Sequence, residues 1–291
     1  MEKPKILVLG ANGQVGGALN VLLENVICLG RENADLSFPE TLPEIVKSIC
    51  PDILINAAAY TQVDKAEGER DLVFSVNAYS PDILAKTASE LNIPFVHYST
   101  DYVFDGSGNK PWKETDRPAP VNVYGASKLA GEEAVKNAGG KYLIFRTSWV
   151  YDAYGKNFLN SMLRLGAERE NLKVVGDQYG APTYATHLAQ ATINCLESAL
   201  KNNNFPSGIY NLCAGGETSW FGFAEEIFVQ ARKLGIALKL KKLESITATE
   251  YPLPTLRPYN SRLDCSKAQE VLQVSLPDWR VGVYEAIKEK V

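Results

Sequence analysis

The opening segment KILVLGANGQVGGAL constrains the fold more than any other stretch of the chain. A short apolar run ends at Gly10, and Gly13 and Gly16 follow at three-residue spacing where a helical pattern begins. Downstream, short runs rich in β-branched residues at 26–29, 53–56, 95–98 and 142–146 alternate with helical periodicity at 16–23, 42–49, 71–91 and 126–138. Alternation of this kind, with connections long enough for right-handed crossovers, predicts an α/β fold: a doubly wound parallel sheet covered by helices on both faces. After residue 150 the helical stretches lengthen (156–169, 186–201 and 219–234) and the loops become rich in Pro, Gly and Asn. The expected division is a Rossmann domain of residues 1–150 plus about 172–212, with NLKVVGDQYGAPT returning to the sheet, and a smaller α/β lobe of about 151–171 and 213–291 that binds the substrate.

Composition narrows the partners. With 45% hydrophobic and 22% charged residues, the 291-residue chain has enough apolar material for a packed core, which excludes disorder. Thirty basic against 34 acidic residues give a net charge of −4, which offers no cationic surplus to nucleic acid or an anionic membrane. No apolar run reaches the roughly 18 residues of a membrane span, and MEKPKILVLG reads as a charged lead into a strand, not a signal peptide. Five widely spaced cysteines without a Cys-x-x-Cys pair fit a reducing cytoplasm. Two histidines, His97 and His187, lie outside any ligand cluster, so no metal is expected, and His97 reads as a satisfied, half-buried ring.

Glycines at the end of a first strand allow a tight turn, close approach of a pyrophosphate, and close helix-to-strand packing, with phosphate on the helix N-terminus. Gly10, Asn12, Gly13, Gln14 and Val15 are therefore the expected dinucleotide cradle. The second strand runs into Gly30 and Arg31, where a carboxylate would select NADH. A guanidinium there pairs with a 2′-phosphate, so NADPH is the expected cofactor, with NADH left open.

Tyr124 and Lys128 form Tyr-x-x-x-Lys, one helical turn apart on one face. A second such pair, Tyr284 and Lys288, has no glycine-rich context and reads as an ordinary amphipathic face. What singles out the first is HYSTDYVFDG, whose Thr100 ends a strand where ligands of open α/β sheets sit. A cation about 4 Å from a phenol at an effective dielectric of about 20 favours the phenolate by roughly 4 kcal/mol, an upper-end figure worth about three pKa units. Lys128 is accordingly expected to depress the Tyr124 pKa and ready it for proton exchange.

The segments GANGQVG, INAAAYTQVDKAE, STDYVFDG, RTSWVY, DQYGAPT and RPYNSRLD occur in this order around Tyr124 and Lys128. Together they resemble the dTDP-4-dehydrorhamnose reductases, a branch of the extended short-chain dehydrogenase/reductase family, from Lys5 to Asp264. The resemblance implies reduction of the 4-keto group of dTDP-6-deoxy-L-lyxo-4-hexulose to dTDP-L-rhamnose. It assigns proton donation to Tyr124, ribose binding and pKa depression to Lys128, and a hydrogen bond to the reacting oxygen to Thr100. It also implies cofactor contacts from Asp35, Leu36, Ala59, Tyr60, Thr61 and Tyr98, and substrate contacts from Thr100, Asp101 and Trp149. Asn157 is expected to line the sugar cleft, and Arg257 offers a donor fork for a diphosphate. Asn77 falls beside the active site of relatives, although a helix-start hydrogen bond explains it equally well.

Some members of that branch carry a glutamate that helps bind magnesium at a dimer interface, where this chain has Ala18. The expected assembly is therefore a monomer or a homodimer without metal. Two alternatives remain at this point. One is another nucleotide-sugar enzyme, a 4-epimerase or a ketoreductase of a different sugar; a dehydratase lacks support because Thr100 is followed by Asp101 and Tyr102, not by an Asp-Glu pair. The other is a non-catalytic regulatory subunit like the methionine adenosyltransferase beta subunit, against which the complete set of Thr100, Tyr124 and Lys128 argues.

Overall fold

The computed structural model describes residues 3–291; residues 1 and 2 of the expected first segment lie outside the described part. Six parallel strands form one sheet. In chain order they are β1 (Ile6–Leu9), β2 (Val26–Leu29), β3 (Ile53–Asn56), β4 (Phe95–Thr100), β5 (Tyr142–Thr147) and Gly208–Asn211. In space the order is Gly208–Asn211, β5, β4, β3, β1, β2. The chain leaves β1 first toward β2 and then crosses to β3 on the other side. At such a switch point the loops beyond the strand ends diverge and leave a crevice.

Burial on both faces explains the unbroken apolar strands. Along β1, Ile6 and Val8 join Leu19, Leu188 and Leu196 on one face. Leu7 and Leu9 join Leu42, Val46 and Leu84 on the other. The two-residue period of a strand thus divides one tetrapeptide between two cores.

A third core, with Leu159, Phe223, Ile227, Trp279 and Val283, belongs to the smaller lobe. Its helices are Phe158–Glu168, Trp220–Lys233 and Trp279–Lys288. Two sequence expectations need correction. Asn171–Val175 does not return to the main sheet but pairs in parallel with Lys242–Ile246. Its exposure alternates along the strand, so only one face is apolar, and that face covers the lobe core. The main sheet instead regains a strand at Gly208–Asn211, beside β5.

The expected single helix over 71–91 is three pieces: Arg70–Phe74, a π-helical stretch Ser75–Tyr79, and Ser80–Glu90. Pro81 is the second residue of the last piece, which follows the π-helical stretch directly. Asn77 sits in the widened stretch and is fully buried. Its carboxamide accepts from the Tyr60 N–H at 2.9 Å and donates to the Tyr60 carbonyl at 3.0 Å and to Ser127 Oγ at 3.0 Å. The helix-start role foreseen for it is replaced by a tie between three segments that frame the crevice.

Candidate active site

The glycine turn is shaped by contact. Gly10 has φ +97°, and a Cβ on it would lie 2.6 Å from the Ala58 nitrogen; one on Gly16 would lie 2.0 Å from the Gly10 carbonyl oxygen. No side chain larger than hydrogen fits either position without displacing backbone. The first helix, Gln14–Leu22, starts without a side-chain cap and without an acidic residue in its first turn. Its leading N–H groups and the positive end of its dipole are thus available to an anion. The Leu29 carbonyl accepts from the N–H groups of Gly10 at 2.9 Å and Ala11 at 3.1 Å, which fastens the turn to the end of β2.

A cleft of about 670 Å³ opens over this turn. Its wall includes Gly10, Asn12, Gly13, Gln14 and Val15 from the turn, Arg31, Asp35 and Leu36 beyond β2, and Ala59 and Thr61 beyond β3. Tyr98, Thr100, Asp101, Tyr124, Lys128 and Trp149 line it from the opposite side. One continuous cavity therefore gathers most of the residues singled out from sequence.

Three expected residues stand off it. The Tyr60 side chain points away from Ala59 and Thr61, as alternation along an extended segment requires, and its phenol donates to Glu69 Oε2 at 2.6 Å. Asn157 caps the helix Phe158–Glu168, accepting from the Asn160 N–H at 2.9 Å while donating to the Asp152 carbonyl at 2.7 Å and to Gln14 Oε1 at 3.2 Å. With its amide used this way it braces the loop and the glycine turn. Arg257 pairs with Asp64 at 2.8 Å, and its charge acts on the Tyr102 phenol, whose ring packs edge-on against Tyr124.

Tyr124 lies in the first turn of the helix Val123–Ala138, which starts three residues earlier than periodicity alone suggests. The cause is Asn122, whose Oδ1 accepts from the Gly125 N–H at 2.8 Å, together with Glu67, which accepts from the Val123 N–H at 2.9 Å. Gly125 lets the helix approach: a Cβ there would lie 2.1 Å from the Tyr102 carbonyl oxygen. As a result the Thr100 hydroxyl acts on the Tyr124 phenol, favouring its ionised form. The Thr100 hydroxyl also reaches Asp101 Oδ1 at 3.1 Å, while Oδ2 of Asp101 is buried with no partner among the described residues.

The electrostatics differ from the expectation. Burial pushes the Tyr124 phenol above its ordinary value; the Thr100 hydroxyl opposes this, and the Asp101 carboxylate and Tyr102 add to it. Lys128 Nζ donates to the Tyr98 carbonyl at 2.6 Å and lies 3.3 Å from His97 Nε2. Burial lowers Lys128 itself to about 8, against the pull of Glu132 one turn on. Asp101 is raised to about 6 by burial, partly offset by the nearby Ser261 hydroxyl and by the hydrogen bond from Thr100.

Trp149 was expected in the cleft, whereas its neighbours Trp220, Lys156, Ser99 and Ser148 were not foreseen from sequence. Trp149 adopts φ 49°, a left-handed conformation that its surroundings hold in place. Trp220 stacks on its ring at 3.7 Å, and Gly180 leaves room where a Cβ would strike the indole at 2.8 Å. Lys156, exposed, and Ser99 and Ser148, buried, complete the wall. Lys156 stands next to Asn157 in sequence, so the segment was legible although the residue chosen was its neighbour.

Residues 4–291 match the family described as RmlD substrate binding domain. A dTDP-4-dehydrorhamnose reductase of Escherichia coli K12 is 48% identical over 291 residues, covering 98% of this chain and 97% of the relative. The chain belongs to the dTDP-4-dehydrorhamnose reductase family. Solved structures of the family superpose closely. One from Bacillus anthracis, in complex with NADP, has a TM-score of 0.91 at 36% identity and covers 99% of this chain and 100% of that one. Another, from Clostridium acetobutylicum, has a TM-score of 0.90 at 33% identity, covering 98% and 99%. Among the described residues of this family member, no helix is long and apolar enough to cross a membrane.

Proposed function

We propose that the protein reduces the 4-keto group of dTDP-4-dehydrorhamnose with NADPH, giving dTDP-L-rhamnose. The observation that carries the reading is that Tyr124, Thr100 and Lys128 share the wall of one cleft with the glycine turn. The relatives named above are reductases of this substrate, and one of them holds NADP.

The residues present fit the dinucleotide. Gly10 and Gly16 keep the cradle open where a Cβ would fill it, and Gln14–Leu22 presents uncapped N–H groups to the pyrophosphate. Arg31 lines the cleft wall beyond β2, and its guanidinium would pair with the 2′-phosphate. When bound, the reduced nicotinamide supplies hydride to C4 of the sugar.

The chain's own residues supply the proton and the alignment. A reductase needs its acid protonated before the reaction, and the buried Tyr124 phenol, held above its ordinary pKa, meets that need at neutral pH. Tyr124 donates to the C4 oxygen, and the Thr100 hydroxyl hydrogen-bonds the same oxygen and orients it. Lys128 turns an N–H to the cleft, where the nicotinamide ribose hydroxyls accept it. Asp101 Oδ2, lacking a partner of its own, accepts from a sugar hydroxyl. Trp149, braced by Trp220, walls the sugar side, and Lys156 at the rim meets the diphosphate in place of Arg257.

We assign the six-stranded sheet and its helices to the cofactor, and about 151–171 and 213–291, now with Asn171–Val175, to the substrate. All five cysteines are unpaired, in keeping with a cytoplasmic reaction.

The test follows NADPH absorbance with the 4-keto sugar. In Tyr124→Phe, kcat should fall by about 10²- to 10⁴-fold, the usual contribution of a positioned acid, while NADPH affinity stays within about threefold. A variant retaining more than about a tenth of wild-type turnover would remove Tyr124 from the proton path. Stoichiometric NADPH consumption separates this reaction from epimerisation, which uses no net reductant.

A further inference from the structure

Cys213 and Cys265 stand with their sulfurs 3.5 Å apart, and no part of the mechanism above uses either. The contact is built by the fold. Cys213 follows the sheet strand Gly208–Asn211, which Leu212 prolongs by donating its N–H to the Arg146 carbonyl at 2.8 Å. Side chains two residues apart on such an extended segment point the same way, and both Asn211 and Cys213 meet the segment 263–265. Buried Asn211 donates from Nδ2 to the Asp264 carbonyl at 3.0 Å and to the Trp112 carbonyl at 2.8 Å, while the Asp264 N–H donates to the same Trp112 carbonyl at 2.8 Å. The two cysteines are thus held side by side by hydrogen bonds one and two residues away.

The two thiols differ in access, Cys213 being buried and Cys265 half-buried. A thiolate is the reactive form. The Cys213 thiol favours it at Cys265, and although burial and the Glu114 and Asp264 carboxylates oppose this, Cys265 lies below the ordinary thiol range. The same contact, and then burial, push Cys213 up. A more accessible thiolate beside a buried partner is the arrangement of a sensing cysteine with its resolving cysteine. Both segments abut the sugar side of the cleft. Cys213 shares a packed cluster with Val103 and Phe104, which closely follow Asp101, and the Asp101 charge acts on it. Ser261, four residues before Cys265, lies near the same carboxylate.

We propose that Cys213 and Cys265 form a reversible dithiol–disulfide site, oxidised by hydrogen peroxide, whose closure displaces the Asp101 wall of the cleft. The Cys265 thiolate attacks one oxygen of the peroxide. The O–O bond breaks, the leaving hydroxide takes up the proton that Cys265 gave to solvent, and Cys265 becomes a sulfenic acid. The Cys213 sulfur then attacks the Cys265 sulfur, the S–O bond breaks, and the hydroxyl departs as water with the Cys213 proton. Two thiols lose two electrons and two protons, and the products are one disulfide and two waters. A dithiol reductant reverses the change by exchange. In reducing surroundings both cysteines stay thiols, so the bond answers an oxidant and is not a permanent staple. Joining the sulfurs draws the segments that carry Cys213 and Ser261 together, and Asp101 lies against both.

The test treats the wild-type protein with hydrogen peroxide, blocks the remaining thiols by alkylation and digests with trypsin. Peptides 202–232 and 263–267, each with a single cysteine, should be found joined by mass spectrometry and should separate on addition of dithiothreitol. Peptides that stay separate, with Cys265 unmodified or carried on to a sulfinic acid, overturn the proposal. A kinetic arm compares the protein before oxidation, after oxidation and removal of peroxide, and after reduction. The KM for the keto sugar should rise by about five- to a hundredfold, NADPH affinity should stay within about threefold, and both should return on reduction. Cys265→Ser, or Cys265→Ala should the serine disturb folding, should keep its activity through the same treatment. Joined peptides with an unchanged KM, or an equal loss in the Cys265 variant, overturn the coupling to the cleft. The effect on KM rests on the place given to Asp101 in the proposed reaction; the joined peptides are read without turnover, so a failure of that reaction is distinguished from a failure of the disulfide.

Discussion

Replacing Arg146 by methionine should be among the most damaging single changes in the chain. Arg146 on β5 and Glu132 on the helix Val123–Ala138 form a bidentate pair, with Nε donating to Oε1 at 2.8 Å and Nη2 to Oε2 at 2.6 Å. Their side chains are 2% and 1% exposed, so water cannot replace a lost partner. In the variant the Glu132 carboxylate would keep only the Ser99 hydroxyl, and the cation over the Phe104 ring at 4.9 Å would also be lost. Breaking a buried pair from one side costs about 3–5 kcal/mol, against a total stability of about 5–15 kcal/mol for a folded domain. At about 1.4 kcal/mol per factor of ten, the folded-to-unfolded ratio falls by two to four powers of ten. The assay is equilibrium urea unfolding. The midpoint should drop while the slope is unchanged, and the double variant Glu132→Leu/Arg146→Met should recover most of the loss, since an apolar replacement of the whole pair leaves no stranded charge. A single variant within about 1 kcal/mol of wild type, or a double variant as unstable as the single, would refute the assignment of this cost to the unpaired carboxylate.

Two further outcomes follow from the cleft. Arg31→Ala should lower kcat/KM with NADPH by about 10- to 100-fold, the worth of a charge-assisted pair, and leave NADH nearly unaffected; equal losses with both cofactors would place Arg31 away from the 2′-phosphate. Asp101 has its folded pKa raised to about 6 from an ordinary 3.8, so between those values the native state holds a proton that the unfolded chain has released. Its contribution to stability is therefore lost as pH rises through this window, to a cost of at most about 3 kcal/mol above it. Asp101→Asn should be more stable than wild type at neutral pH, with the difference shrinking toward about pH 4. Urea midpoints that differ equally at both pH values would sink this reading.

The sequence by itself determined the parallel strands, the glycine turn and the pairing of Tyr124 with Lys128 on one helix face, because each is a local matter. Apolar runs of four residues, a glycine spacing and a four-residue helical offset are all read within one element. It also carried the family, through motifs distributed along nearly the whole chain. Tertiary structure decided where the side chains go. Asn171–Val175 has the composition of a strand, but which sheet accepts it depends on the partner that Lys242–Ile246 provides. Tyr60, Asn157 and Arg257 sit in the right segments, yet their polar groups are taken by Glu69, the Asp152 loop and Asp64. Charge states are the furthest from legible. The Tyr-x-x-x-Lys spacing suggested a cation lowering a phenol, whereas burial raises Tyr124 and the Tyr98 carbonyl and His97 hold Lys128. Desolvation depends on every atom packed around a group, and those atoms come from strands and helices far apart in the chain.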